Sequence, residues 1–205
     1  MPSKKYTTIE KIQNYLLIDI DAGFEPQVEE WIENMSDYIE GMTSRAFIAD
    51  GTTSIKLYEV VAKNTDTIGS YVSSVVDLRI DDCVEVESVT IDDVAVAPGD
   101  FFVYPANGLP KTRIHLKADS GVIFSQGEQN LKVSADWGYS VAAPGDIVFA
   151  CTVLVAGIIN NSWSSEGEVK SISMGAYNLT FKDEKSLSDF ERVEEILKVY
   201  KRVDV

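Results

Sequence analysis

Two stretches of helical periodicity, residues 8 to 43 and 144 to 201, enclose nearly all of the strand-like sequence in this chain. Each carries an apolar stripe that it cannot bury alone, so the two ends of the chain must pack on each other. The β sequence between them becomes an insert. The pattern predicts an α+β protein: a helical bundle of three to four helices drawn from both ends of the chain, with an inserted antiparallel β domain. The expected divisions are N-terminal helices in 1–50, the β insert in 51–143 and C-terminal helices in 144–205, the last with a short strand-loop near 168–181. A helical body split in this way suits docking and assembly better than catalysis.

At 205 residues the chain is long enough to bury roughly 70% of its unfolded surface, and 45% hydrophobic with 25% charged residues is an ordinary globular composition. Thirty-three acidic residues against eighteen basic ones give a formal charge of −15. That balance repels phosphate and anionic membrane surfaces, which argues against DNA binding; its plainest meaning is solubility. Met1 to Tyr6 has no apolar core behind its lysines, and no apolar run reaches membrane-spanning length, so a chain made and kept in the cytoplasm is expected. Cys83 falls in a strand-like stretch and Cys151 in a helical one, without metal or redox spacing, and both are read as buried thiols.

Thr7-Thr8-Ile9-Glu10 reads as a capping box opening a helix through about Ile18. Pro26 fits the first turn of a second helix, in which Val28, Trp31, Ile32, Met35, Ile39 and Met42 form one apolar face opposite an acidic one. From Ser54 the period shortens to two. Ile55, Leu57, Val84 to Ile91, Phe101 to Tyr104, Thr112 to Leu116 and Leu131 to Trp137 predict five to seven strands, with turns at Asp92-Asp93 and Pro98-Gly99-Asp100. Ile147 to Ile159 is apolar all round, which predicts a helix at the centre of the bundle; Asn160 to Gly167 reads as a loop. Strand character returns at Ser171 to Phe181, and Ser186 opens the last helix, basic at its end.

No motif for chemistry accompanies these elements. His115, the one histidine, alternates with Ile114 and Leu116 and is expected on the opposite, outer face, with no nucleophile or orienting acid supplied by a local motif. Asp19 to Glu30 imitates a calcium loop but has Phe24 where the sharp turn requires Gly. The glycines of Gly121 to Glu128 lack the lysine of a phosphate loop. No catalytic residue, cofactor or metal is predicted, and the chain is read as not an enzyme.

Four stretches, in this order, carry a resemblance: Tyr38-Ile39-Glu40-Gly41-Met42-Thr43-Ser44-Arg45-Ala46-Phe47; Val133-Ser134-Ala135-Asp136-Trp137-Gly138-Tyr139; Pro144-Gly145-Asp146 before an apolar helix; and Ser173-Met174-Gly175-Ala176-Tyr177-Asn178-Leu179. With Ile196 to Arg202 at the end, the chain resembles the head-tail connector (adaptor, or head-completion) proteins of long-tailed bacteriophages. The resemblance implies a structural virion protein at the head-tail junction. It would form a homo-oligomeric ring, commonly a dodecamer, beneath the portal protein ring and above a tail-side stopper or tail-completion protein. DNA would pass through the channel without specific binding, and no membrane would be involved. It further implies a C-terminal segment that reaches the portal, for which Leu197, Tyr200 and Arg202 are the candidate anchors. Glu29, Glu33, Asp37 and Glu40 are the candidates for lining the channel or meeting a neighbouring subunit, since a DNA channel should repel phosphate.

Two other classes stay open. A ligand- or glycan-binding β module would use Phe101, Tyr104, Trp137 and Tyr139 as exposed aromatics, the last two on one strand face. A carboxylate-dependent hydrolase would need two acids converging in a cleft.

Overall fold

The computed structural model describes residues 4–60, 72–74, 76–163, 170–174, 177–181 and 184–202. The chain runs α1 (Ile9–Leu16), α2 (Glu25–Thr43), β1 (Thr53–Val60), β2 (Val72–Ser74), β3 (Asp77–Ile91), β4 (Val94–Ala95), β5 (Phe101–Tyr104), β6 (Lys111–Leu116) and β7 (Gly127–Trp137). It continues through α3 (Gly145–Trp163), β8 (Lys170–Met174), β9 (Tyr177–Phe181) and α4 (Glu184–Tyr200). The class is α+β. Two compact units divide it: residues 1–45 with 143–205, and residues 46–142.

In the helical unit, α3 is the core. Ile147 and every residue from Ala150 to Ile159 are buried, packed by α1, α2, α4 and β9 of the same unit. This helix is longer than the apolar run predicts: its 19 residues extend through Trp163, so Asn160 to Trp163 are helical rather than loop, while 164–167 lie outside the described residues. By length and composition it could cross a membrane, contrary to expectation, but a helix enclosed by its own unit is accounted for as core. Its polar end is tolerated because Asn161 and Ser162 are exposed and Ser162 Oγ donates to the Ile158 carbonyl at 3.1 Å.

The N-terminal segment is stitched onto this core. Tyr6, 2% exposed, donates its backbone N–H to Ser36 Oγ on α2 at 3.1 Å, and the Ser36 hydroxyl donates onward to the Ile32 carbonyl at 2.7 Å. Thr7 meets Thr152 of α3, hydroxyl to hydroxyl, at 2.6 Å. The capping box therefore does not form. Thr8 is the cap, accepting from the Lys11 N–H at 3.4 Å, because Thr7 is drawn into the core. The helix ends at Leu16, before Ile18, since Leu17 takes the left-handed conformation at φ 55°. Pro26 stands in the first turn of α2 as predicted, and Val28, Ile32, Met35 and Ile39 make its buried face. Trp31 is only half-buried, edge-on to Phe24, and Met42 is 46% exposed.

The β unit is an antiparallel sheet with the order β1-β7-β3-β6-β5, with β2 and β4 pairing on β3. The long strand β3 changes partners at Cys83, pairing with β6 before it and with β7 after it. Leu78, Ile80, Val89, Ile114, Leu116, Phe124, Leu131 and Val133 form the core. Asp92 and Asp93 make the two-residue turn from β3 to β4 with φ of 49° and 65°, the left-handed pair that such a hairpin requires. Gly138 ends β7 at φ 151°, where an added Cβ would lie 2.5 Å from the Ala49 nitrogen.

Strand β1 reverses the expected inside and outside. Its register sets Lys56 opposite Val133 and Tyr58 opposite Leu131, both core residues, so Ile55 and Leu57 face outward and are 63% and 50% exposed. Polar contacts make the inverted register tolerable: Lys56 Nζ lies 2.7 Å from Asp81 and 4.5 Å over the Trp137 ring, and the Tyr58 hydroxyl accepts from the Asp81 N–H at 3.1 Å.

Candidate interaction surfaces

The acidic stripe follows from the period of α2. Glu29, Glu33, Asp37 and Glu40 recur at spacings of four and three residues and flank the stripe that α2 buries rather than standing opposite it, so all but Asp37 are half-buried. One cation and one hydroxyl partner part of the acidic stripe. Lys5 bridges Glu29 and reaches Glu33 at 3.2 Å, and the hydrogen bond to Glu29 raises its pKa. The Tyr6 hydroxyl donates to Glu40. Asp37 is exposed.

At the C-terminal end, Leu197 is 7% exposed and belongs to the helical core with Phe190 and Val193. Tyr200 and Arg202 are half-buried, and their backbones close the unit: the Tyr200 carbonyl accepts from Arg45 Nε at 2.7 Å, and the Arg202 N–H donates to the Thr43 carbonyl at 2.9 Å. Val199, 81% exposed, is the outward apolar residue of this turn. The three C-terminal candidates are thus brought together, but with one of them inside.

Aromatic residues of the β unit do not form one exposed platform. Trp137 is half-buried and donates its indole N–H to the Ser54 carbonyl at 2.9 Å; Tyr139 packs on Phe47 at 5.6 Å beyond the end of β7, so strand alternation does not pair it with Trp137. Phe101 is half-buried against the core, and Phe102, not anticipated as a candidate, is 48% exposed.

Sequence reasoning missed a cationic face. Ile114 and Leu116 enter the core, so Arg113 and His115 emerge on the other side of β6, as expected for His115. His115 Nδ1 lies 2.9 Å from Asp77, whose carboxylate is also 3.8 Å from Arg113. Arg113 lies 4.7 Å over the Tyr104 ring and Lys117 the same distance over Phe102. Arg79, Tyr104, Pro105, Thr112 and Arg113 line a cavity of about 490 Å³. The signal was the alternation Lys111, Arg113, His115, Lys117 in a strongly acidic chain.

The chemistry available is modest. His115 and Asp77 form an imidazole-carboxylate pair, but no described hydroxyl or thiol is bonded to the ring to serve as a nucleophile. Among the described residues no group of three or more His, Cys, Asp or Glu could hold a metal ion. Both cysteines are free, and burial pushes each thiol up to about 12, away from nucleophilic character. The Asp92 carboxylate is held below its ordinary value by hydrogen bonds from Ser125 and Asn130 in a hairpin turn.

No family model matches the chain, and no curated protein matches it. Among solved structures it is similar to a chain described as "Neck of empty GTA particle computed with C6 symmetry", with a TM-score of 0.53 and 13% sequence identity. The likeness covers 96% of this chain and 89% of the other, so it takes in both units, and it shows a shared fold.

Proposed function

We propose that this chain is a structural head-tail connector, a subunit of a ring at the junction between a DNA-filled capsid and its tail. The observation that carries the reading is the extent of the likeness to a neck chain: 96% coverage includes the helical unit and the inserted β unit together. A helical body closed by both ends of the chain, with an inserted β sheet, is suited to presenting different surfaces to different neighbours. The sixfold symmetry in the neighbour's description is compatible with a ring of this chain, the dodecamer included. On this reading the protein has no catalytic activity, sits between a portal ring and a tail-side stopper or completion protein, and leaves a channel through which DNA passes unbound.

The acidic surface of α2 serves that channel or a subunit contact, with Asp37 its most available carboxylate, Glu29 and Glu33 sharing Lys5, and Glu40 hydrogen-bonded by Tyr6. Portal docking uses the turn that carries Tyr200 and Arg202, while Leu197 holds that turn to the core. Removing the gene from a particle that encodes it should leave DNA-filled heads without tails; infectious tailed particles from the deletion would overturn the reading. For docking, Tyr200→Ala with Arg202→Glu should abolish capture by an immobilised portal ring with the helical signal unchanged. Capture at full strength would dismiss the C-terminal contact.

A further inference from the structure

Arg79 on β3 lies directly opposite Arg113 on β6 in the antiparallel register. Like charges facing each other across a ladder oppose folding. Little offsets them: Arg79 makes no ion pair with a described residue, and the one acid near Arg113 is Asp77, at 3.8 Å, which also holds His115. The two guanidinium groups line the cavity described above, with Tyr104 and Thr112 as its other polar walls. Its shape is fixed from beneath. Arg113 rests on Tyr104, and Lys111 Nζ donates to the carbonyls of Pro105 and Ala106 at 2.6 and 3.0 Å, holding the adjoining turn. Two facing arginines with a single distant carboxylate for the pair, on a braced surface, have the form of an anion site with room for a further carboxylate.

We propose that this face of β3, β6 and β5 receives exposed carboxylates of a second copy of the chain, those of Glu191, Glu194 and Glu195 on α4. The three recur at helical spacing, are exposed, and pair with no described cation. Carboxylates match the forked donors of arginine bidentately. A second copy carries the same formal charge of −15, so the two chains repel at long range and the attraction is local, arginines against the glutamates that α4 gathers on one turn. A closed ring needs two different surfaces on every subunit, and a cationic face on one unit with an anionic face on the other supplies them. The inference rests on the ring reading and adds the contact that would build it.

The test uses the full chain in sedimentation velocity at low and high salt. Wild type should self-associate, and once salt has screened the net repulsion between two acidic chains, further salt should weaken the contact. Arg79→Glu should weaken association by roughly tenfold or more while melting no lower than wild type, because the new carboxylate faces Arg113 and relieves the repulsion. A merely structural arginine would not give that opposite pair of effects. Mixing Arg79→Glu/Arg113→Glu protein with Glu194→Arg/Glu195→Arg protein should restore association that neither shows alone. Undiminished association of Arg79→Glu would overturn the contact and leave the ring reading intact. A wild type that stays monomeric at every concentration, or one that binds duplex DNA through Arg79, would also overturn it. Association through this face into dimers that ignore a portal ring would keep the contact and defeat the ring reading.

Discussion

The two hydroxyls that join the N-terminal segment to the core helix should respond unequally to removal. Thr152 Oγ1 donates its proton to the Val148 carbonyl at 2.8 Å, so in the 2.6 Å contact with Thr7 it must be the acceptor and Thr7 the donor. Thr7 and Thr152 are 3% and 6% exposed, which leaves little water to substitute for a lost partner. Thr152→Val preserves shape but strands the Thr7 hydroxyl proton, at a cost of about 1–3 kcal/mol. Thr7→Val removes only an incoming donor, because Thr152 keeps its bond to Val148, and should cost about 0.5–1.5 kcal/mol. The double variant leaves no stranded group and should be no less stable than Thr152→Val alone, giving a coupling of about 1 kcal/mol. Urea unfolding followed by the helical circular dichroism signal measures all three. Equal single effects that simply add in the double variant would refute the assigned direction of the bond and the claim that the first residues belong to the helical core.

Two further outcomes follow from burial and backbone geometry. Gly138→Ala should destabilise the β unit by about 2–4 kcal/mol, since its φ of 151° and the 2.5 Å approach to Ala49 leave no room for a Cβ; chemical denaturation followed by fluorescence in a Trp31→Phe/Trp163→Phe background, where Trp137 alone emits, reads this. Neither Cys83 nor Cys151 should react with a thiol reagent at neutral pH until the protein is unfolded, because burial raises both above the ordinary 9.0 to about 12. A folded pKa above the unfolded one means that the stabilisation is complete below pH 9.0 and declines as pH rises toward about 12, and Cys151→Ala should reduce that decline.

The helical unit was the more legible half of the chain. The period of Val28, Ile32, Met35 and Ile39 and the unbroken apolar run of α3 each have one physical solution, a buried stripe and a fully buried helix. Helix ends were less legible because they depend on tertiary contacts: Thr7 leaves the cap for Thr152, and α3 runs on past Ile159 because Asn161 and Ser162 face solvent. In β1 the apolar alternation pointed the wrong way, since Lys56 finds Asp81 and the Trp137 ring on the core side while Ile55 and Leu57 stay outside. A one-residue difference in register turns every side chain over, and strand sequence alone does not fix it. The cationic face needed pairing information: Arg79 and Arg113 lie far apart in sequence and become neighbours only through the β3–β6 ladder. The acidic stripe of α2 was visible as a pattern, but its contacts with Lys5 and Tyr6 were not, because those residues precede α1 and reach α2 across the whole of it.

The most direct test of the connector reading is the mass and shape of the full chain in solution, by light scattering with negative-stain imaging, alone and mixed with a portal ring. Closed rings, or a monomer that joins the portal in a symmetric layer with an open centre, is the predicted result. A monomer that forms no ring and leaves the portal unchanged at every ratio would contradict the account.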